Sequence, residues 1–193
     1  MENFQSYLVK ILAVSSEDVE NCEQFYSKKK VEKGEFLLRE GEACNDTFYV
    51  EKGLLRMFSI DKNGKEHIIQ FAPESWIIAD RTSQIFREES HYYIDAVEES
   101  EIAILPPDFF FNIFKNNPEV SGNNYKLMSN HIRSLQKRIN QLLGATAEER
   151  YLDFLKMYPN VFQRVPQWMV ASYLGITPES LSRVRKELTK KKS

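Results

Sequence analysis

Hydrophobic and polar positions divide the chain into an amphipathic start, a β-rich middle and a helical end. Apolar residues at positions 4, 7, 8 and 11 fall on one helical face and predict short N-terminal helices over 4–27. From 28 to 106 the chain has short runs of β-forming residues, with glycines among them at 34, 41, 53 and 64, and Asn63-Gly64 is typical of a hairpin turn. This spacing predicts a compact roll of antiparallel strands. The runs are Glu35–Arg39, Thr47–Glu51, Leu54–Ile60, His67–Phe71, Ser75–Ala79, Tyr92–Val97 and Glu101–Leu105.

A long helix is predicted over 119–143, which would span roughly 37 Å at 1.5 Å per residue. Its apolar residues recur in steps of three and four, the period of a seam along which two parallel helices pair. The alternative is a core helix packed inside one chain. Because the apolar stripe is narrow, we favour a homodimer seam. Its residues are Tyr125, Met128, Ile132, Leu135, Ile139 and Leu142.

Two short helical patterns separated by a tight turn follow near the C-terminus. The first covers Gln167–Leu174, and Gly175 supplies the left-handed backbone that bends the chain away. Thr177 is a good N-cap for the second helix, and Pro178 suits its first position. Ala171 is small where the two helices would cross. Together these features indicate a helix-turn-helix.

The outward side of the second helix carries groups suited to DNA. Arg183 can form paired hydrogen bonds with a guanine edge, and Glu179 can accept one from a cytosine amino group. The hydroxyl and basic side chains around them suit phosphate oxygens. The alternative is a helical hairpin with a solvated basic face; we favour DNA. The predicted DNA-binding residues are Thr177, Pro178, Glu179, Ser180, Ser182, Arg183, Arg185 and Lys186.

Charge sharpens this division of the chain. The 193 residues carry a net charge of −2. Residues 1–125 hold 13 Lys and Arg against 23 Asp and Glu, a net charge of −10, whereas residues 126–193 hold 13 against 5, a net charge of +8. The basic end is therefore expected to contact a polyanion, although a solubilising tail is the alternative.

Other classes of protein are disfavoured. Two cysteines are too few for a disulfide framework or a four-thiolate metal site. We expect a cytoplasmic protein that does not bind a membrane, because the sequence offers neither an export signal nor a long apolar run. The three histidines form no H-x-H pair, and no nucleotide-binding or hydrolase motif occurs. We therefore predict no enzyme activity, no metal and no cofactor.

Several motifs together resemble the cyclic-AMP receptor / fumarate–nitrate regulator (Crp/Fnr) family of bacterial transcription factors. The glycines of Arg39–Glu42 and Phe48–Gly53 are similar to its β-roll signature, and Leu174–Arg183 is similar to its DNA-reading motif. The resemblance implies double-stranded DNA as a partner, contacted at base edges by Glu179 and Arg183, and RNA polymerase as a further partner.

The resemblance also implies an α+β fold in three parts. Residues 1–118 would form an antiparallel β-roll of the cyclic-nucleotide-binding jelly-roll kind, residues 119–143 the dimerisation helix, and residues 144–193 a helix-turn-helix domain. This last part would be similar to a winged helix. Because the chain stops at Ser193, we expect the wing to be truncated.

The family's nucleotide cassette is altered in this chain. Where nucleotide-binding members carry Gly-Glu and later Arg-Ser or Arg-Thr, this chain has Ile78-Ala79 and Ser90-His91. Without that arginine we predict no response to cyclic AMP. Nearby aromatic residues either line a pocket for an unidentified small-molecule effector or fill the space, and we favour filling. The candidate pocket residues are Trp76, Ile78, Ala79, Ser90, His91 and Tyr92.

One alternative function stays open on the sequence. The chain could be a ligand-binding or protein-interaction module whose basic C-terminal region meets another partner, with no specific DNA site. Salt separates the two, since phosphate contacts make affinity fall steeply as salt rises.

Overall fold

The computed structural model describes residues 3–114 and 118–192. It begins with two helices, α1 (Phe4–Leu12) and α2 (Ser16–Cys22), followed by a 3-10 turn at Glu23–Phe25. The Asn3 side chain caps α1 by accepting from the N–H of Ser6 at 2.9 Å. One face of α1 is buried against the roll and contains the predicted Phe4, Tyr7 and Leu8, but Leu12 completes it in place of Ile11, which is 41% exposed.

In the part of the chain that the structure describes, eight antiparallel strands form two four-stranded sheets, and the predicted roll is confirmed. The sheet orders are β1-β8-β3-β6 and β2-β7-β4-β5. At the turn after β3, Gly53 has φ +97°, and a Cβ there would lie 2.3 Å from the Ser100 hydroxyl, so only glycine fits. The strands are β1 (Ser27–Val31), β2 (Phe36–Leu38), β3 (Thr47–Lys52), β4 (Leu55–Ile60), β5 (Glu66–Ala72), β6 (Ile77–Ile78), β7 (Tyr93–Ala96) and β8 (Ser100–Leu105).

One strand was missing from the sequence prediction. β1 reads Ser-Lys-Lys-Lys-Val and carries no apolar alternation, because its first four side chains are exposed and only Val31 is buried. It is an edge strand paired with β8. Exposed lysines on an edge discourage pairing with other chains, which explains the composition. Conversely, the run predicted at Ser75–Ala79 shortens to Ile77–Ile78.

The described residues form seven further helices. The long helix α5 runs one residue beyond the predicted span at each end, and the two helices of the predicted helix-turn-helix are α8 and α9. Within the described residues, no helix is both long enough and apolar enough to cross a lipid bilayer. The bounds are α3 (Arg81–Phe86), α4 (Phe109–Phe114), α5 (Pro118–Gly144), α6 (Ala147–Met157), α7 (Val161–Arg164), α8 (Gln167–Leu174) and α9 (Pro178–Lys192).

The C-terminal helices share one apolar core with the roll. Phe71 of β5 places its ring 6.2 Å from that of Phe154, 5.9 Å from Tyr158 and 5.8 Å from Tyr173. We call these four residues the docking core. All four are buried, so the helix-turn-helix packs directly onto the sheet.

Polar contacts reinforce this docking. The Ser172 hydroxyl accepts from the N–H of Ile68 and donates to the carbonyl of Glu66, both at 3.0 Å. Arg164 donates to the Glu74 and Glu98 carboxylates. The Ser172 hydroxyl and the Arg164 guanidinium, both half-buried, therefore each have partners on the opposite side of the contact.

Candidate nucleic-acid interface

The turn between α8 and α9 is held by local hydrogen bonds. Gly175 has φ +66°, and its N–H donates to the Ser172 carbonyl at 3.1 Å. The Thr177 hydroxyl accepts from the N–H of Ser180 at 3.2 Å, as expected of an N-cap. These bonds fix the angle at which α9 leaves the body of the protein.

One side of α9 is buried and so orients the opposite side outward. Leu181 and Val184 are buried, together with Val170, Ala171 and Leu174 of α8. Among them is Ala171, the small residue that the sequence places where the two helices cross. This packing determines which side of α9 faces outward.

The predicted DNA-binding residues occupy different surroundings. Arg183 and Lys186 are exposed, and neither forms a salt bridge with any residue that the structure describes. Arg185 differs, because its guanidinium lies over the Phe162 ring, 4.7 Å from the centroid. The remaining residues sit at the start of α9; Thr177, Pro178, Glu179 and Ser182 are exposed and Ser180 is half-buried.

Glu179 is held ionised at the first turn of α9. Its own backbone N–H and the Thr177 hydroxyl keep the pKa of its carboxyl below the usual value. An ionised carboxylate accepts hydrogen bonds only, which suits an amino group on a base edge.

The long helix leaves an apolar stripe uncovered. Tyr125, Ile132, Leu135, Ile139 and Leu142, which we call the apolar stripe, are 41% to 74% exposed. The sixth predicted seam residue, Met128, is half-buried, and its sulfur accepts from Arg81. A helix with five exposed apolar residues on one line is typical of a surface that another helix covers.

A cavity of about 480 Å³ lies where the roll, α5 and the C-terminal helices meet. Of the six predicted pocket residues, Trp76, Ala79 and Tyr92 line it. Ile78 and Ser90 are instead buried away from it, and His91 is exposed. The preference for a filled space is therefore wrong, since the aromatic residues form walls around an open volume.

Other lining residues escaped the sequence analysis. Arg81 and His131 reach the cavity from α3 and α5, and Tyr158 and Tyr173 reach it from the C-terminal helices. Only the position of His131, directly before a seam residue, offered a signal. The short helix α3 gave none, because its exposed Ile85 and Phe86 hide any amphipathic pattern.

Comparisons with known proteins agree with this architecture. The cyclic nucleotide-binding domain family matches residues 28–117. The transcriptional activator protein Anr of Pseudomonas aeruginosa is 28% identical over 185 residues, covering 90% of this chain and 75% of that protein.

Solved structures share the fold. FixK2 from Bradyrhizobium japonicum superposes with a TM-score of 0.73 at 17% identity, covering 86% of this chain and 85% of that one. The catabolite activator protein of Thermus thermophilus gives 0.58 at 18% identity, covering 95% and 87%.

Proposed function

We propose that the chain is a bacterial transcription regulator of the Crp/Fnr family and that two copies of it bind a two-fold symmetric DNA site through α9. The observation that carries the proposal is the pair Arg183 and Lys186, exposed and without a salt bridge among the described residues, on a helix whose other side is buried. A packed helix with unneutralised cations outward is suited to the major groove. Such a regulator would act in the cytoplasm, where bacterial DNA lies.

The apolar stripe supports the dimer. Its residues recur in the steps of a parallel seam and would be covered by the same stripe of a second copy. Joined in this way, the two α9 helices would face neighbouring major grooves, about 34 Å apart along the duplex.

Within this proposal Arg183 reads a base and Lys186 contacts phosphate. Arg183→Ala should weaken binding to a duplex selected from a random library by about 10- to 100-fold, and binding to a scrambled duplex far less. Lys186→Ala should weaken both duplexes alike and reduce the slope of log affinity against log salt by about one. Fluorescence anisotropy measures both effects.

The matched control is Arg133→Ala, an exposed arginine on α5 that should leave both affinities unchanged. Equal losses on selected and scrambled DNA for Arg183→Ala would remove its base-reading role. If the folded wild-type protein bound no duplex at low salt, the function itself would be wrong, and the ligand-binding or protein-interaction alternative would take its place.

A further inference from the structure

The guanidinium of Arg81 lies half-buried on the wall of the cavity without an anionic partner. Its one hydrogen bond among the described residues goes to the Met128 sulfur at 3.7 Å. Burial lowers the pKa of Arg81, and the Tyr7 phenol is the one group that opposes this shift. A cation removed from water without a carboxylate lowers the stability of the protein, so its presence calls for an explanation.

The other covered arginines show what is missing. Arg56 pairs with Asp95 at 2.7 Å and with Glu66, and Arg164 pairs with Glu74 and Glu98. Each of these two guanidiniums has two carboxylates. Arg138, which also lines the cavity, instead donates to three backbone carbonyls, those of Ile68, Ile69 and Tyr173. Arg81 has no carboxylate within salt-bridge distance in the part of the chain that the structure describes.

The neighbouring carboxylate of Asp80, which also lines the cavity, accepts three hydrogen bonds from other groups. One of its oxygens accepts from the N–H groups of Thr82 and Ser83, and the other accepts from the Ser90 hydroxyl at 2.8 Å. The Asp80 carboxylate therefore caps the N-terminus of α3 and holds Ser90, which precedes β7, instead of pairing with Arg81.

Two further polar groups converge on Arg81. Its charge acts on the phenol of Tyr7 and on the imidazole of His131, whose pKa is lowered by burial and then by Arg81. The phenol and a neutral imidazole can each donate a hydrogen bond. The cavity wall therefore carries three hydrogen-bond donors, the side chains of Arg81, Tyr7 and His131. A bound acceptor could accept hydrogen bonds from all three.

A second copy of the chain would not supply that acceptor. Helix α5 contains no Asp or Glu between Tyr125 and Leu142. A parallel partner helix therefore brings no carboxylate to the level of Met128 and His131.

The remainder of the wall is largely apolar and aromatic. Besides Trp76 and Tyr92, it includes Met57, Tyr158 and Tyr173. A volume of about 480 Å³ is within the range of small-molecule sites. The cavity therefore suits a molecule with one anionic end and an apolar body.

We propose that this cavity binds an organic carboxylate with an aromatic or branched aliphatic body, and that Arg81 holds the carboxylate. A single guanidinium matches the two oxygens of a carboxylate, whereas a phosphate is usually held by a glycine-built cradle, and the sequence has no glycine between Gly64 and Gly122. This inference rests on the proposed function and names the effector class of the sensor.

Such a ligand would contact the reading unit directly. Tyr158 follows α6 and Tyr173 lies on α8, and both belong to the docking core as well as to the cavity wall. A ligand in the cavity would thus favour one arrangement of the helix-turn-helix against the roll over others. Its binding should change DNA affinity without touching DNA.

The first test needs no ligand. Arg81→Met removes the unpaired charge and keeps an apolar side chain of similar length, so Tm should rise by about 2–4 °C. Arg56→Met, which strips two carboxylates of their partner, should lower Tm. A fall for Arg81→Met as large as for Arg56→Met would show a structural role and overturn the proposal.

The second test measures binding by calorimetry on the full-length protein. The probes are benzoate, phenylacetate, 3-phenylpropionate, indole-3-acetate and 4-methylpentanoate, each beside its neutral amide. At least one acid should bind about tenfold or more tightly than its amide. Arg81→Gln should abolish that difference, and the matched control Arg87→Gln, an exposed arginine just after α3, should retain it.

The results that would overturn carboxylate binding differ from those that would overturn DNA binding. The idea fails if no acid binds at about 5 mM, if acid and amide bind alike, or if Arg81→Gln binds as the wild type does. Micromolar binding of cyclic AMP would also overturn it. These measurements contain no DNA, so a protein that failed to bind duplexes could still bind the acid, and the reverse.

Discussion

Two apolar surfaces of this molecule differ in whether the same chain covers them. The docking core is covered within one chain, and its flanking polar groups at Ser172 and Arg164 all have partners. The apolar stripe of α5 stays exposed along the same molecule. The chain thus completes the contact between the roll and the C-terminal helices by itself, whereas covering the apolar stripe would need the second copy of the proposed dimer.

The largest effect is expected on the open surface. Ile132→Asp combined with Ile139→Asp would place four carboxylates in the seam of a dimer, and each would lose its hydration without a cationic partner opposite. We expect monomers throughout the usable concentration range, measured by light scattering. Asn130→Asp with Asn140→Asp adds the same charges off the seam and should leave the dimer intact. A dimer that survived the first pair of substitutions would show that the stripe is not the interface.

The covered surface should respond next. Phe154 is buried between Phe71 and Tyr173, so Phe154→Ala should reduce the free energy of unfolding by about 3–5 kcal/mol in urea titrations. Leu152→Ala on the same helix removes a side chain that is 38% exposed and should cost much less. Equal losses would contradict the distinction between the two sides of α6.

A smaller effect belongs to the Arg164 clamp. Its carboxylates are partly exposed, so we expect Arg164→Leu to cost about 1–2 kcal/mol at pH 7. Burial raises the pKa of Glu74, but Arg164 and nearby N–H groups outweigh it and leave the pKa below the usual 4.5.

The pH dependence of this clamp follows from that sign. A depressed pKa in the folded protein means that Glu74 adds stability above pH 4.5 and that this stability is lost as pH falls through the folded value. The gap between wild type and Arg164→Leu should therefore close in acid, measured by urea unfolding from pH 7 down to pH 3. A gap independent of pH would mean that packing, and not charge, explains the cost.

The smallest effect concerns the hydroxyl between β5 and α8. Ser172→Ala leaves the N–H of Ile68 and the carbonyl of Glu66 without that partner and should cost about 1 kcal/mol. Ser182→Ala, exposed on α9, should change the unfolding free energy by less than about 0.5 kcal/mol. Identical results for the two serines would indicate that water replaces the lost hydrogen bonds.

Local patterns predicted those parts of the fold that one element determines by itself. The steps along α5 gave its exposed stripe, and Gly175, Thr177 and Pro178 gave the bend and start of α9. The polar edge strand β1 carried no hydrophobic alternation and so was missed.

Contacts between distant segments were beyond the reach of such patterns. The docking core joins Phe71 to aromatic residues that lie between 83 and 102 positions further along the chain. The Arg81 site is defined by the lack of a carboxylate partner among the described residues. Motif position predicts six pocket residues, but only three of them line the cavity. Ser90 is one of the others, because its hydroxyl donates to Asp80 instead. A missing partner and a long-range contact are properties of the folded chain.

The close approach of Leu142 to Gly175 has a mechanical consequence. A Cβ on Gly175 would lie 3.1 Å from the Leu142 methyl, and Leu142 is also the last residue of the apolar stripe. In the proposed dimer, this one side chain would contact both the second subunit and the turn that precedes α9. A rotation of α5 about its axis would therefore move Leu142 against this turn and would change the orientation of α9.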